Sequence, residues 1–382
     1  MRQTARIIST YAADVSGVCS ALFELGGMTV MHDASGCNST YNTHDEPRWY
    51  DTDSLVFLSG LSELEAVMGD DEKLVRDMAE AAEALHPAFI ALAGTPIPMV
   101  IGTDFPALAA LIEERTGIPA FGFATNGMHS YLSGASMAFA ALAERMVEDT
   151  AERLPGTVNL LGATPLDFSV NGAVDFMRRR LEAEGFAVNA CWAMGDGLEA
   201  IRRSGRAAVN LVVSWCGLAA ARVLRRRFGT PYVVGTPTGQ AFTHVLAQRL
   251  RQAASDGQDR LAVTERPKAA EADLTLIGES VTGASLAAAI GLEYGKSVQV
   301  VCPLETQESL LLPGDLRAGD EETLISILRG ARAVAADPLY RPICPEGILF
   351  YGLPHEAFSG RIYRSEIPNL VRSIEMKRGL MR

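Results

Sequence analysis

Among its 382 residues the chain has six cysteines: Cys19, Cys37, Cys191, Cys216, Cys302 and Cys344. Thiolates act as soft metal ligands or as nucleophiles. No C-x-x-C occurs, so neither a zinc ribbon nor a thioredoxin-type dithiol is signalled, and the spacing does not suggest a disulfide framework. Cys19 follows Asp14-Val15-Ser16-Gly17-Val18, and Cys37 follows His32-Asp33-Ala34-Ser35-Gly36. Both contexts predict the start of a helix, with Cys19 leading into a helix over Ser20–Leu25. There the helix dipole and free N–H groups favour a thiolate, the form that ligates iron. Gly17 and Gly36 would let backbone N–H groups approach a bound cluster. The alternative is two buried structural thiols, since two cysteines cannot complete a four-thiolate set. A symmetric dimer supplies the missing pair.

Other side chains invite chemistry less directly. Cys216, in Trp215-Cys216-Gly217, follows a strand pattern and is either a cofactor contact or a buried thiol. Cys191 and Cys302 lie inside apolar strand patterns and read as core. His129, in Asn126-Gly127-Met128-His129-Ser130, and His355, after Gly352-Leu353-Pro354, are candidate proton donors, since histidine titrates near neutrality. A surface or capping role competes for each. His32 is expected to orient the Cys37 turn.

The elements that must position these residues alternate. Short apolar strands are expected at Met28–His32, Phe89–Ala93 and Pro119–Ala124, with helical spacing over Glu72–Leu85 and Ala107–Arg115. The rhythm restarts after Pro155-Gly156 and again near Asp273. Strands alternating with helices imply parallel βαβ units. The expected fold is α/β, with three Rossmann-like domains over 1–154, 155–255 and 256–382. Ligands bind at the C-terminal edges of such sheets, where Cys19, Cys37 and Cys216 are expected. The nearest approach to a phosphate-binding loop is Gly291-Leu292-Glu293-Tyr294-Gly295-Lys296-Ser297. It is one residue short and lies between a helix and a strand, in the wrong order, so it reads as a helix cap. No strand is followed by G-x-G-x-x-G.

The formal net charge is −12. Nucleic-acid binding needs clustered positive charge, and the arginine runs at 178–180 and 225–227 read as solvated helix faces. No apolar run is long enough for a transmembrane helix, and Ile7–Tyr11 is too short for a signal peptide. A cytoplasmic protein, without nucleic acid or membrane partners, is expected.

The segment from Cys19 through Val30-Met31-His32-Asp33-Ala34-Ser35-Gly36-Cys37 resembles the two cluster-ligating cysteines of the nitrogenase component 1 family, around its V-x-H-G-x-x-G-C turn. Asp33 replaces the usual glycine. Gly69–Leu74 resembles the family's G-G-E-E-K-L, Val100-Ile101-Gly102-Thr103-Asp104 its V-I-G-D-D, and Gly352-Leu353-Pro354 its G-F-P turn. Asn210-Leu211-Val212 and Pro231-Tyr232 fit its second domain. The resemblance extends over nearly the whole chain.

It implies an oxidoreductase subunit, related to nitrogenase and to tetrapyrrole reductases. Such a subunit receives electrons from a separate ATP-hydrolysing iron protein, in keeping with the missing phosphate loop. It also implies a homodimer or a heterodimer with a homologous component 1 subunit. The family's third cluster cysteine falls near Pro96, which favours a bridging 4Fe-4S cluster on Cys19 and Cys37 over the larger nitrogenase cluster. The iron–molybdenum cofactor's cysteine falls near Ser214 and its histidine near Tyr363, so dinitrogen reduction is not expected. A second metallocofactor, or a bound tetrapyrrole in the interdomain cleft, stays open. So do a cofactor-assembly scaffold, a non-catalytic binding protein and a cluster-free α/β enzyme with structural thiols.

Overall fold

The computed structural model describes residues 5–8, 10–34, 45–267 and 271–375, and the backbone of 377–378. Gly36 and Cys37 lie outside the described residues.

The first unit holds α1 (Asp14–Leu22), β1 (Met28–Met31), β2 (Leu55–Leu58), α2 (Glu63–Met68), α3 (Asp71–Leu85), β3 (Ile90–Ala93), α4 (Pro96–Ile101), α5 (Phe105–Thr116), β4 (Ala120–Phe123) and α6 (Tyr131–Arg145). Its parallel sheet has the order β2-β1-β3-β4. Strand pleating sends successive side chains to opposite faces. Met28, Val30, Ile90 and Leu92 pack with Leu74, Met78, Leu108 and Ile112 of α3 and α5. Met31, Ala91 and Ala93 face the other way, into the core built with α1 and α6. Every residue of α1 is buried.

The second unit holds β5 (Leu154–Leu161), α7 (Pro165–Phe168), α8 (Ala173–Ala183), β6 (Ala187–Cys191), α9 (Leu198–Arg202), β7 (Ala207–Val212), α10 (Leu218–Phe228), β8 (Tyr232–Val234), α11 (Gln240–Asp256) and β9 (Arg260–Leu261). Its parallel sheet runs β6-β5-β7-β8-β9.

The third unit holds β10 (Leu274–Ile277), α12 (Ser280–Tyr294), β11 (Val298–Cys302), β12 (Leu316–Arg317), α13 (Glu321–Leu328), β13 (Ala333–Ala336), β14 (Leu349–Gly352), α14 (Glu356–Tyr363) and β15 (Lys377–Arg378). Its order is β12-β11-β10-β13-β14-β15, parallel except for β15. The chain is thus an α/β protein of three parallel-sheet layers with alternating helices. Gly295 caps α12 in the left-handed region at φ 64°, which disposes of the phosphate-loop look-alike.

One expectation needs correcting. Cys19 is not at a helix start: α1 begins at Asp14, so Cys19 sits inside the helix, with no exposed surface. The helix-dipole argument for its thiolate therefore does not apply. Gly17, which reads as a helix boundary, instead lets α1 touch α6. A Cβ there would stand 1.9 Å from the Tyr131 carbonyl oxygen, and one at Gly134 would stand 1.7 Å from that of Asp14. Among the described residues, no helix is long and apolar enough to cross a membrane.

Candidate functional site

The cysteine end of the first sheet is a buried polar network on α1. Asp14 accepts hydrogen bonds from the backbone N–H groups of Asn126 and Gly127, at 3.0 and 2.8 Å. This ties α1 to the loop after β4. Ser16 Oγ donates to Asp45 Oδ2 at 2.9 Å, and Ser20 Oγ donates to Glu46 Oε2 at 2.9 Å. These serines flank Cys19, so the chain resuming at Asp45 is pinned beside it. Burial, and then the Glu46 charge, push the Cys19 thiol far above its ordinary range. Burial likewise lifts the Asp45 carboxyl to about 6.

A thiol held protonated by burial and anions becomes a ligand only when a metal displaces its proton. Asp45 Oδ1 is also buried and has no hydrogen-bond partner among the described residues. An orphaned oxygen near a buried thiol fits a donor set for a cationic metal centre. Among the described residues there is no complete group of three or more such ligands. His32 Nδ1 lies 2.8 Å from Ser59 Oγ, and burial lowers its pKa, so a neutral imidazole braces the end of β1.

A second site lies where the three units meet. Tyr131 opens α6, Asp167 lies on α7, Glu279 caps α12, Asp337 follows β13 and His355 caps α14. The Tyr131 hydroxyl donates to Asp167 Oδ1, and His355 Nε2 lies 3.5 Å from that oxygen. Glu279 accepts from the backbone N–H groups of Val281, Thr282 and Trp215 at 2.9, 2.8 and 3.1 Å. Burial, then the Asp167 charge, raises the Glu279 pKa. Both also keep Tyr131 protonated. Asp167, Glu279, Asp337 and His355 line a cavity of about 100 Å³.

Of the residues singled out in the sequence, His355 lies on this cavity. Cys216 is fully buried in the turn after β7, with its Sγ 3.5 Å from both the Gly162 carbonyl oxygen and Ser214 Oγ. Burial and the Asp167 charge raise its pKa. His129 is not brought to His355. Its side chain is exposed, with Nδ1 3.8 Å from Glu305 Oε1. Cys191 and Cys302 are core. Tyr131, Asp167, Glu279 and Asp337 were missed. Their one shared signal is position, just after a strand or at a helix start, where side chains face the sheet edge.

The chain is therefore a three-layer parallel α/β protein with a buried thiol near one sheet edge and a cavity between its layers. The model for nitrogenase component 1 type oxidoreductases matches residues 16–301, and the chain belongs to that family. It is 27% identical over 182 residues to the nitrogenase molybdenum-iron protein alpha chain of Clostridium pasteurianum, covering 47% of this chain and 33% of the relative. The iron-molybdenum cofactor biosynthesis protein NifE of the same organism is 27% identical over 46% of this chain and 38% of its own length. A light-independent protochlorophyllide reductase subunit of Nostoc punctiforme is 24% identical over 48% and 38%. The chain thus matches under half the length of each of these relatives. A solved structure, nitrogenase Cp1 at pH 5, shares the fold with a TM-score of 0.66 at 17% identity, over 98% of this chain and 88% of that one.

Proposed function

We propose that this chain is a nitrogenase-like oxidoreductase subunit that holds a 4Fe-4S cluster at a dimer interface, through Cys19 and Cys37. Domains over 1–154, 155–255 and 256–382 divide the work. The first carries the cluster, and the cleft among all three receives the molecule to be reduced. The observation that carries this reading is the docking of α1 against Asp45 and Glu46. The described chain stops after β1, which packs with α1, and resumes at Asp45 and Glu46, which bond to α1, so both described flanks of the Cys37 segment adjoin α1. A bound cluster supplies one-electron transfer. Gly17 fixes the α1–α6 contact, and Asp14 fixes the loop before α6. Electrons come from an ATP-hydrolysing iron protein, and the partner subunit is a second copy or a homologous component 1 chain. His355 and Cys216 belong to the cleft end, and His129, exposed beside Glu305, is a further candidate proton donor.

A second reading, a metallocofactor-assembly scaffold, is favoured by the resemblance to a cofactor biosynthesis protein. Anaerobic reconstitution with iron and sulfide tests the shared core of both. Bound iron is expected in the native chain and in Cys191→Ala, and is expected to be lost in Cys19→Ala and Cys37→Ala. Full iron in both of those variants, or none in the native chain, sinks the proposal. Steady substrate consumption with an iron protein separates reductase from scaffold.

A further inference from the structure

A cavity of about 190 Å³ opens on the outer face of the first sheet, among β1, β2, α2 and α3. Strand alternation sends Met28, Val30 and His32 to one face of the sheet, and all three line this cavity. Phe57 of β2 and Leu74 and Met78 of α3 extend its apolar wall. His32 is the polar group set into that wall. It is 4% exposed. Its Nδ1 is held by Ser59 Oγ at 2.8 Å, on the β2 side, and its ring stands edge-on to Phe105 of α5, with centroids 6.3 Å apart at 74°. Nε2 makes no hydrogen bond among the described residues, yet it is not one of their sealed, unpaired polar atoms. It therefore keeps some surface, and the surface of a residue so buried faces the cavity it lines.

Size and chemistry narrow what fits. An apolar cavity of about 150 Å³ accepts benzene, so this one has room for a single ring with a small substituent. The thioethers of Met28 and Met78 and the ring of Phe57 favour an aromatic guest. Burial is the largest influence on the His32 pKa and lowers it, against the weaker pull of Asp71, Asp33 and Glu65. A neutral imidazole nitrogen accepts from a hydroxyl or donates to it, according to tautomer. Glu65, Asp70 and Asp77 lie at the polar end of the lining. Lys73 is already taken up by Glu65 at 2.8 Å and Asp77 at 3.3 Å. An anion entering here meets carboxylates and no unpaired cation among the described lining residues.

We propose that this cavity binds a small uncharged phenol, with the aromatic ring against Met28, Phe57 and Met78 and the hydroxyl on His32 Nε2. Ser59 is a positioning residue, because it occupies Nδ1 and turns the other ring nitrogen to the ligand. The site stands apart from the interdomain cleft and does not depend on a bound cluster.

Phenol, toluene and benzoate are matched probes: one ring each, with a neutral hydroxyl, no polar group and a charge. NMR titration of the full-length, metal-free chain should show saturable binding of phenol and toluene and none of benzoate. The 15N resonance of His32 Nε2 should move as phenol saturates the site. His32→Leu should weaken phenol about tenfold or more, because a buried hydroxyl is left unpaired. Toluene should still bind that variant, which also shows that it is folded. Ala81→Leu is an independent arm, since Ala81 lines the cavity from α3 and the larger side chain fills it without removing a polar group. It should abolish phenol binding with the thermal midpoint retained. If His32→Leu does not fold, the Nε2 resonance and Ala81→Leu decide. Absence of saturable phenol binding, an Nε2 resonance unmoved at saturation, unchanged phenol affinity in Ala81→Leu, or benzoate binding as tight as that of phenol overturns the proposal.

Discussion

Arg48 Nε lies 2.6 Å from Glu46 Oε1, in an ion pair where the arginine side chain is 5% exposed and the glutamate 0%. The same guanidinium donates to Glu24 at 2.8 Å and to the Ala193 carbonyl oxygen in the second unit at 2.6 Å. Glu46 in turn accepts from Ser20, beside Cys19. One cation therefore ties the chain returning from the Cys37 segment to α1 and to the loop after β6. Removing one partner of a buried pair strands the other charge, at a cost of about 3–5 kcal/mol. Arg48→Met should lose stability of that order in urea denaturation, and adding Glu46→Gln should recover part of it. A loss below about 1 kcal/mol would show that the pair is hydrated in solution.

The α1–α6 contact makes the second prediction. Backbone carbonyls stand where Cβ atoms at Gly17 and Gly134 would be. Gly17→Ala must push the helices apart, and overpacking of this kind costs about 1–3 kcal/mol. Gly319→Ala is the control, because a Cβ there meets nothing within 4 Å. The thermal midpoint should fall for the first variant and stay level for the second.

The strand–helix rhythm was legible because pleated and helical periods differ, and β1, β3 and β4 all fall within the expected runs. Helix α6 was not. Leu132, Ala135, Ala138, Phe139, Leu142 and Ala143 are buried, and it is enclosed by α1 and α10, so no polar stripe marks its period. Glycine misled at Gly17, since the same residue signals a helix end and a close helix crossing. The acid cavity was the least legible part. Asp167 sits on a four-residue helix, and its neighbours come from the other two units. Only tertiary packing brings Tyr131, Glu279, Asp337 and His355 to it.

Thiol reactivity offers a third check. Burial raises the pKa of Cys191 and of Cys302 to about 12 each, and pushes Cys19 and Cys216 up as well. With a pKa near 12, roughly one thiol in ten thousand is ionised at pH 8, and the thiolate is the reactive form. In the metal-free folded chain, peptide mapping after iodoacetamide should find these four unmodified, while concentrated guanidinium should expose them all. Labelling of Cys19 at the unfolded rate would contradict the packing of α1 around it.

The pH dependence of stability should carry the mark of Asp337. Burial is the largest influence on this carboxyl and raises its pKa, despite hydrogen bonds from Ser359 Oγ at 2.6 Å and from the Leu339 and His355 backbone N–H groups at 2.9 Å each. The imidazole of His355 pulls the other way more weakly. A folded-state pKa above the unfolded value means that the folded chain binds more protons across the interval between the two. Stability from this group is then full below the ordinary carboxylate range and is lost as pH rises through the folded pKa. Asp337→Asn removes the titration together with an acceptor, so the variant should be less stable at pH 4. Its deficit should shrink as pH rises towards 7, because only the native chain pays for ionising the buried acid. Chemical denaturation of both proteins at several pH values measures that gap. A deficit that widens with pH would mean that the hydrogen bonds outweigh burial and that the folded carboxylate is the favoured form.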